Sequence, residues 1–157
     1  MELAAGAAEA VEFIADIGRN HEEFFEEELK GLTGRRRFVV AGMMAIDKYE
    51  EGMAVQLRTE LAKLPGVKVF GPEAGHPRTS TVSFNIEGVN SNEVAKFLAE
   101  RGLFVWDGDY YAIETITNVL KLEASGGLVR IGLAPYNIQS EIDRTIQAVK
   151  DFIALKD

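Results

Sequence analysis

The sequence predicts an α+β fold: a small, mainly antiparallel sheet with helices packed on one face, preceded by an N-terminal helical arm. Three observations carry that expectation. Up to Leu64 the apolar residues recur at helical spacing. Two later stretches, Thr79–Ile86 and Leu128–Leu133, alternate apolar with polar residues as half-buried strands do. Short strands and helices then follow one another in the order β-β-α-β-α-β-α, which suits one layer of helices on one sheet.

Each element has its own local reason. From Leu3 to Ile17 the chain is alanine-rich, with Val11, Ile14 and Ile17 on one face of a helix and Gly18 as its stop. The small side chains of Ala4, Ala7, Ala8 and Ala10 would admit a close neighbour. Asn20 is suited to cap a short helix whose first turn is acidic and which ends near Gly31. Thr33 or Gly34 opens a much longer helix with the stripe Val39, Met43, Ile46, Met53, Leu57, Leu61 and Leu64, interrupted by Glu50 and ended by Pro65-Gly66.

A short strand at Val67–Val69 is closed by Gly71-Pro72. In Thr79–Ile86, Val82, Phe84 and Ile86 face one way and Thr81, Ser83 and Asn85 the other. Asn90 and Glu93 have capping-box spacing, opening a helix that buries Val94, Phe97 and Leu98 and stops at Gly102. Leu103–Trp106 reads as a strand, Asp107-Gly108-Asp109 as a turn, and Ile113, Ile116 and Leu120 as one side of a helix. Gly126-Gly127 precedes the strand Leu128–Leu133. Asn137 then caps a helix with the stripe Ile142, Ile146, Val149 and Ile153. The organisation is a helical arm and connecting helix over 1–65 and an α+β small domain over 66–157, forming one compact unit.

Composition narrows the function. With 157 residues, Lys+Arg 17 against Asp+Glu 25 and a net charge of −8, the chain has no electrostatic attraction to nucleic acid or to anionic membrane surfaces. No apolar run approaches the roughly 18 residues of a membrane span, and the N-terminus has no basic leader, so a cytoplasmic protein is expected. Zero cysteines exclude a thiol nucleophile, a disulfide and a cysteine-ligated metal within this chain. His21 and His76 have no second ligand at metal-binding spacing. No serine elbow, Walker loop or dinucleotide fingerprint is present. Arg35-Arg36-Arg37 stands among glutamates and reads as a solvated charge cluster.

Two places remain as candidates. With Val129, Ile131 and Leu133 facing the core, Arg130 and Gly132 face outward. A guanidinium on a rigid strand is either a clamp for a carboxylate, whose two oxygens match its fork, or one half of a local salt bridge. The segment Val105–Tyr111 gathers the chain's one Trp with Asp107, Gly108, Asp109, Tyr110 and Tyr111. It either lines a ligand crevice or packs as aromatic core.

The passages LPGVKVFGP, TSTVSFNIEGVNSNEVAKFLAERGLFVWDGDYYA and GGLVRIGLAPYNIQSEIDRTIQAV resemble, in order and spacing, the C-terminal small domain of class V aminotransferases. That family of fold-type-I pyridoxal-phosphate enzymes includes the cysteine desulfurases. AAGAAEAVEFIADIG is similar to the helix that follows the family's large domain, while the segment near 20–34 matches least. The resemblance implies that Arg130 grips a substrate α-carboxylate and that Asp109, Tyr110 and Tyr111 belong to an active-site loop that contacts substrate. Asn137 matches the end of the family's Tyr-Asn pair, which a helix cap explains equally well. Tyr111 stands where desulfurases carry their catalytic cysteine, and a phenol cannot form a persulfide. An aminotransferase, lyase or epimerase therefore fits better than a desulfurase.

The large domain's Schiff-base lysine, its aspartate for the pyridine nitrogen and its ring-stacking histidine have no counterpart among these residues. Pyridoxal phosphate is expected in the full-length enzyme and not on this chain alone, which is expected to be inactive by itself. The implied partners are an amino-acid substrate, the large cofactor-binding domain and a second copy of the chain. A stand-alone α+β module binding a small anion or regulating another protein is the alternative, and a purely structural partner a third.

Overall fold

A computed structural model describes residues 2–72 and 75–156. The chain forms two compact units, one ending at Glu50 and the other beginning at Glu51. The boundary lies inside a single long helix, α2 (Gly34–Leu61).

In the first unit, α1 (Glu2–His21) runs past the expected stop. Gly18 is not a terminator. It is buried in the helix because a Cβ there would collide with the Phe38 carbonyl and come within 2.8 Å of the Gly42 nitrogen. A Cβ on Gly42 would in turn strike the backbone at Ile14. The two helices thus meet backbone to backbone, a contact that only glycine allows. Ala15 and Gly18 make this approach, while Ala4, Ala7, Ala8 and Ala10 are exposed. Asn20 is likewise no cap, since it lies within α1 and its Nδ2 donates to the Asp16 carbonyl at 2.9 Å. The expected short helix shrinks to a 3₁₀ turn, Glu22–Phe25. Phe25, Leu29 and Ala41 form the small core here. The start of α2 is therefore rotated from the expected stripe, with Ala41 buried and Met43 half exposed. Arg37 is tied down by Glu22 at 2.6 Å and the Leu29 carbonyl at 3.1 Å, and Arg35 by Glu12 at 3.2 Å.

The second unit is an α+β layer. Strands β1 (Val67–Phe70), β2 (Val82–Ile86), β3 (Trp106–Gly108) and β4 (Leu128–Ile131) form one sheet in the order β1-β2-β4-β3, every neighbouring pair antiparallel. The alternation read from the sequence decides which face is covered. Val82, Phe84, Ile86, Val129 and Ile131 are buried with Met53, Ala54, Leu57 and Leu61 of α2. The same core takes Val94 and Leu98 of α3 (Ser91–Ala99) and Ile142, Ile146, Val149 and Phe152 of α4 (Gln139–Ala154).

Four local expectations are corrected. The strand after Gly102 lies at Trp106–Gly108, not Leu103–Trp106, because pairing with β4 and not the apolar run sets its place. The turn accordingly moves to Asp109–Ala112. The helix expected around Ile113–Leu120 is one π turn, Thr115–Val119, that buries Ile116 and leaves Ile113 exposed. Its β-branched run Ile113, Thr115, Ile116, Thr117 and Val119 disfavours a longer regular helix. At α3, Asn90 Oδ1 accepts from the Asn92 amide at 3.0 Å as a cap should, but Glu93 pairs with Lys156 at 2.7 Å instead of closing the box. At α4 the cap position is Ile138. Asn137 sits one residue earlier, accepting from the Ala134 amide at 2.8 Å and donating to Glu141 at 2.9 Å.

Candidate functional site

With one face of the sheet committed to the core, the alternating side chains of the other face are left open. On it, Ser83 of β2 stands opposite Arg130 of β4, which in turn stands opposite Trp106 of β3. Arg130 is exposed, and among the described residues no carboxylate lies within ion-pair distance of it. Of the two uses open to a strand-borne guanidinium, the local salt bridge is thus not formed among these residues. Its aromatic neighbour is Tyr110, with the guanidinium carbon 5.8 Å from the ring centroid.

Asp109 builds the loop that brings Tyr110 there. Its carboxylate accepts from the Tyr111 amide at 2.9 Å and its carbonyl from the Ala112 amide at 2.7 Å. The tight turn forces two non-glycine residues into left-handed backbone, Tyr110 at φ +37° and Tyr111 at φ +65°. Such conformations are costly for bulky residues and concentrate at functional segments. The Tyr110 hydroxyl is buried beside Ser83 without a partner in full hydrogen-bond geometry; burial pushes its pKa up, and the Ser83 side chain and the charge of Arg130 partly offset that.

The structure thus gathers Arg130 and Tyr110, uses Asp109 to shape the turn and leaves Tyr111, 94% exposed, in solvent. Trp106 is also mostly exposed, so the segment is not aromatic core.

Sequence reasoning passed over the other half of the face. A cavity of about 390 Å³ opens on it, lined by Phe70, Gly71, Pro72, Arg78, Thr79, Thr81, Ser83 and Leu128. The outward register of Thr81 and Ser83 was readable from the Val82–Phe84–Ile86 alternation. Arg78 lies in irregular chain before β2, where no period points to it. Among the described residues, no group of three or more His, Asp or Glu side chains is arranged to hold a metal. Nor is any helix among them long and apolar enough to cross a membrane.

Comparison with known proteins identifies the fold's relatives. The family model for aminotransferase class-V matches residues 28–145. This chain belongs to that family. A probable cysteine desulfurase 2 of Mycobacterium leprae is 28% identical over 123 residues, covering 78% of this chain and 28% of that protein. A probable cysteine desulfurase of Ureaplasma parvum is 29% identical over 143 residues, covering 91% of this chain and 28% of that protein. Among solved structures, the cysteine desulfurase CsdA of Escherichia coli superposes with a TM-score of 0.61 at 23% identity, over 78% of this chain and 30% of that one. The apo cysteine desulfurase of Thermococcus onnurineus superposes at 0.63 and 22% identity, over 76% and 29%. The chain therefore spans under a third of the length of these relatives.

The family's enzymes depend on pyridoxal phosphate, whose aldehyde requires a lysine amine. Lys30, Lys48, Lys63, Lys68, Lys96, Lys121, Lys150 and Lys156 are all exposed. Lys63 pairs with Glu60 at 2.6 Å, Lys156 with Glu93 at 2.7 Å and Lys30 with Glu27. Lys68 lies 5.1 Å from the Phe70 ring. None lines the cavity, and among the described lining residues there is no carboxylate to face a pyridine nitrogen. The side chains described here do not fit the reactive end of the cofactor.

Proposed function

We propose that this chain is the C-terminal domain of a pyridoxal-phosphate-dependent, class V aminotransferase- or desulfurase-like enzyme, and that Arg130 binds the α-carboxylate of its amino-acid substrate. The observation that carries this is a guanidinium on a central strand that forms no ion pair among the described residues and is flanked by a partly buried tyrosine. The fork donates two parallel hydrogen bonds to the carboxylate oxygens, and the strand fixes its direction. Tyr110 shields one side of the pair from water. In this reading the cofactor and its lysine belong to a separate large domain, and the chain by itself is cytoplasmic and inactive. With zero cysteines in it, the chain supplies no thiolate for desulfuration. The exposed apolar residues Phe104, Trp106, Tyr111, Ile113 and Tyr136 suit a surface that the large domain or a second copy covers.

The test is a titration of the chain with L-alanine, observed at the arginine Nε–H resonances. The Arg130 signal shifts saturably, and Arg130→Ala abolishes binding while the backbone spectrum is kept. An unshifted Arg130 signal contradicts the assignment. In parallel, incubation with pyridoxal phosphate followed by borohydride labels no single lysine. One stoichiometrically labelled lysine would instead demonstrate an autonomous cofactor site in this chain.

A further inference from the structure

Among the described residues, two buried side-chain polar atoms lack a hydrogen-bond partner: Arg78 Nε and the Tyr110 hydroxyl. Ser83 lines the cavity together with Arg78 and also stands beside the Tyr110 hydroxyl. The rest of the Arg78 guanidinium is held in place. Nη1 donates to the Pro72 carbonyl at 2.6 Å, and Nη2 packs 3.0 Å from where a Cβ on Gly71 would stand. No carboxylate of the described residues lies within ion-pair distance of Arg78. Burial together with the charge of Arg78 holds the Arg58 pKa below its usual value. The Arg78 guanidinium and the hydroxyl-bearing Thr79, Thr81 and Ser83 line one side of the cavity, a set suited to an oxyanion. Phe70, Pro72 and Leu128 make the remaining walls apolar, as methylene groups require.

We propose that this cavity is a second carboxylate site, so that the substrate is an acidic amino acid whose α-carboxylate lies on Arg130 and whose side-chain carboxylate reaches Arg78. The inference rests on the assignment of Arg130 made above. Ser83 at the cavity edge is the direct cross-strand partner of Arg130. The side-chain carboxylate of an aspartate or glutamate held at Arg130 can extend toward that cavity, and an alanine methyl cannot. Binding two oxyanions on one rigid sheet selects length as well as charge, which a single guanidinium cannot do.

The experiment follows arginine Nε–H resonances of the whole chain with three probes: L-alanine, L-glutamate and inorganic phosphate. L-Alanine shifts Arg130 alone. L-Glutamate shifts Arg130 and Arg78 together and binds about tenfold or more tightly than L-alanine, as a charge-assisted hydrogen bond contributes. Arg78→Gln brings L-glutamate down to the affinity of L-alanine, and Thr81→Val, which leaves every charge in place, weakens L-glutamate severalfold. Both variants keep the backbone spectrum of the parent. The proposal is overturned if L-glutamate binds no better than L-alanine and leaves Arg78 unshifted. It is equally overturned if phosphate shifts Arg78 while L-glutamate does not, which would make the cavity a phosphate site. An Arg130 signal silent to both amino acids overturns the α-carboxylate assignment itself and is recognisable as that separate failure.

Discussion

The two faces of the sheet use the same strands for opposite purposes. On the covered face, Val82, Phe84, Ile86, Val129 and Ile131 are buried against three helices and hold the second unit together. One residue along in each strand, Ser83 and Arg130 make no contribution to that core, and the polar atoms near them are left with incomplete partners. A β-strand turns successive side chains to opposite sides, so a fold of this kind separates stability from recognition at single-residue resolution. Substitutions on the first face are therefore expected to change stability, and substitutions on the second to change ligand binding.

The largest effect is expected at Phe84, fully buried at the centre of β2. Phe84→Ala should cost about 3–5 kcal/mol in chemical denaturation, because a cavity replaces a ring that the helices cannot close over. A reciprocal pair of substitutions sharpens the contrast. Val82→Thr places a hydroxyl in the core without a partner and should cost about 1–3 kcal/mol. The mirror change one residue earlier, Thr81→Val on the open face, should stay within about 0.5 kcal/mol of the parent. Equal costs for the two would break the distinction between the faces.

A smaller effect lies where α4 joins the covered face. Asn137 bonds the Ala134 amide and Glu141, and Glu141 accepts from the Ile138 amide at 3.0 Å. The side-chain bond from Asn137 and the backbone bond from Ile138 hold the Glu141 pKa below the ordinary carboxylate range. A folded-state value below the unfolded one means stability that is present above the unfolded carboxylate pKa, about 4.3. That contribution is lost as pH falls through the folded value. Asn137→Ala should cost about 1 kcal/mol at neutral pH. Thermal melts across the acid range should show Glu141→Gln removing part of the acid sensitivity of the parent.

Much of this architecture was legible because periodicity reports burial. The Val82–Phe84–Ile86 alternation and the Ile142–Ile146–Val149 stripe each predict a buried face that the structure has. Where pairing or close contact decides, local pattern misleads. Gly18 read as a helix stop because a terminator and a site of backbone contact look the same in one dimension. β3 was displaced because its limits depend on β4, some twenty residues away. Within the site, Arg130 was visible from strand parity alone, and the structure places Tyr110 against it. Asp109 and Tyr111 were named with them because the segment resembles an active-site loop; the structure shows Asp109 bonded within the turn and Tyr111 exposed. Arg78 was missed because it reaches the open face from an irregular segment whose bonds to Pro72 become visible only in three dimensions.

The central claim is that Arg130 is held by the fold but does not hold it. The most direct measurement is the unfolding free energy of Arg130→Ala, from urea denaturation of the whole chain beside the parent. A value within about 0.5 kcal/mol of the parent is expected for an exposed side chain that forms no ion pair among the described residues. A loss of about 2 kcal/mol or more would show that the guanidinium is part of the folded structure's own bonding, and would contradict its assignment to a substrate carboxylate.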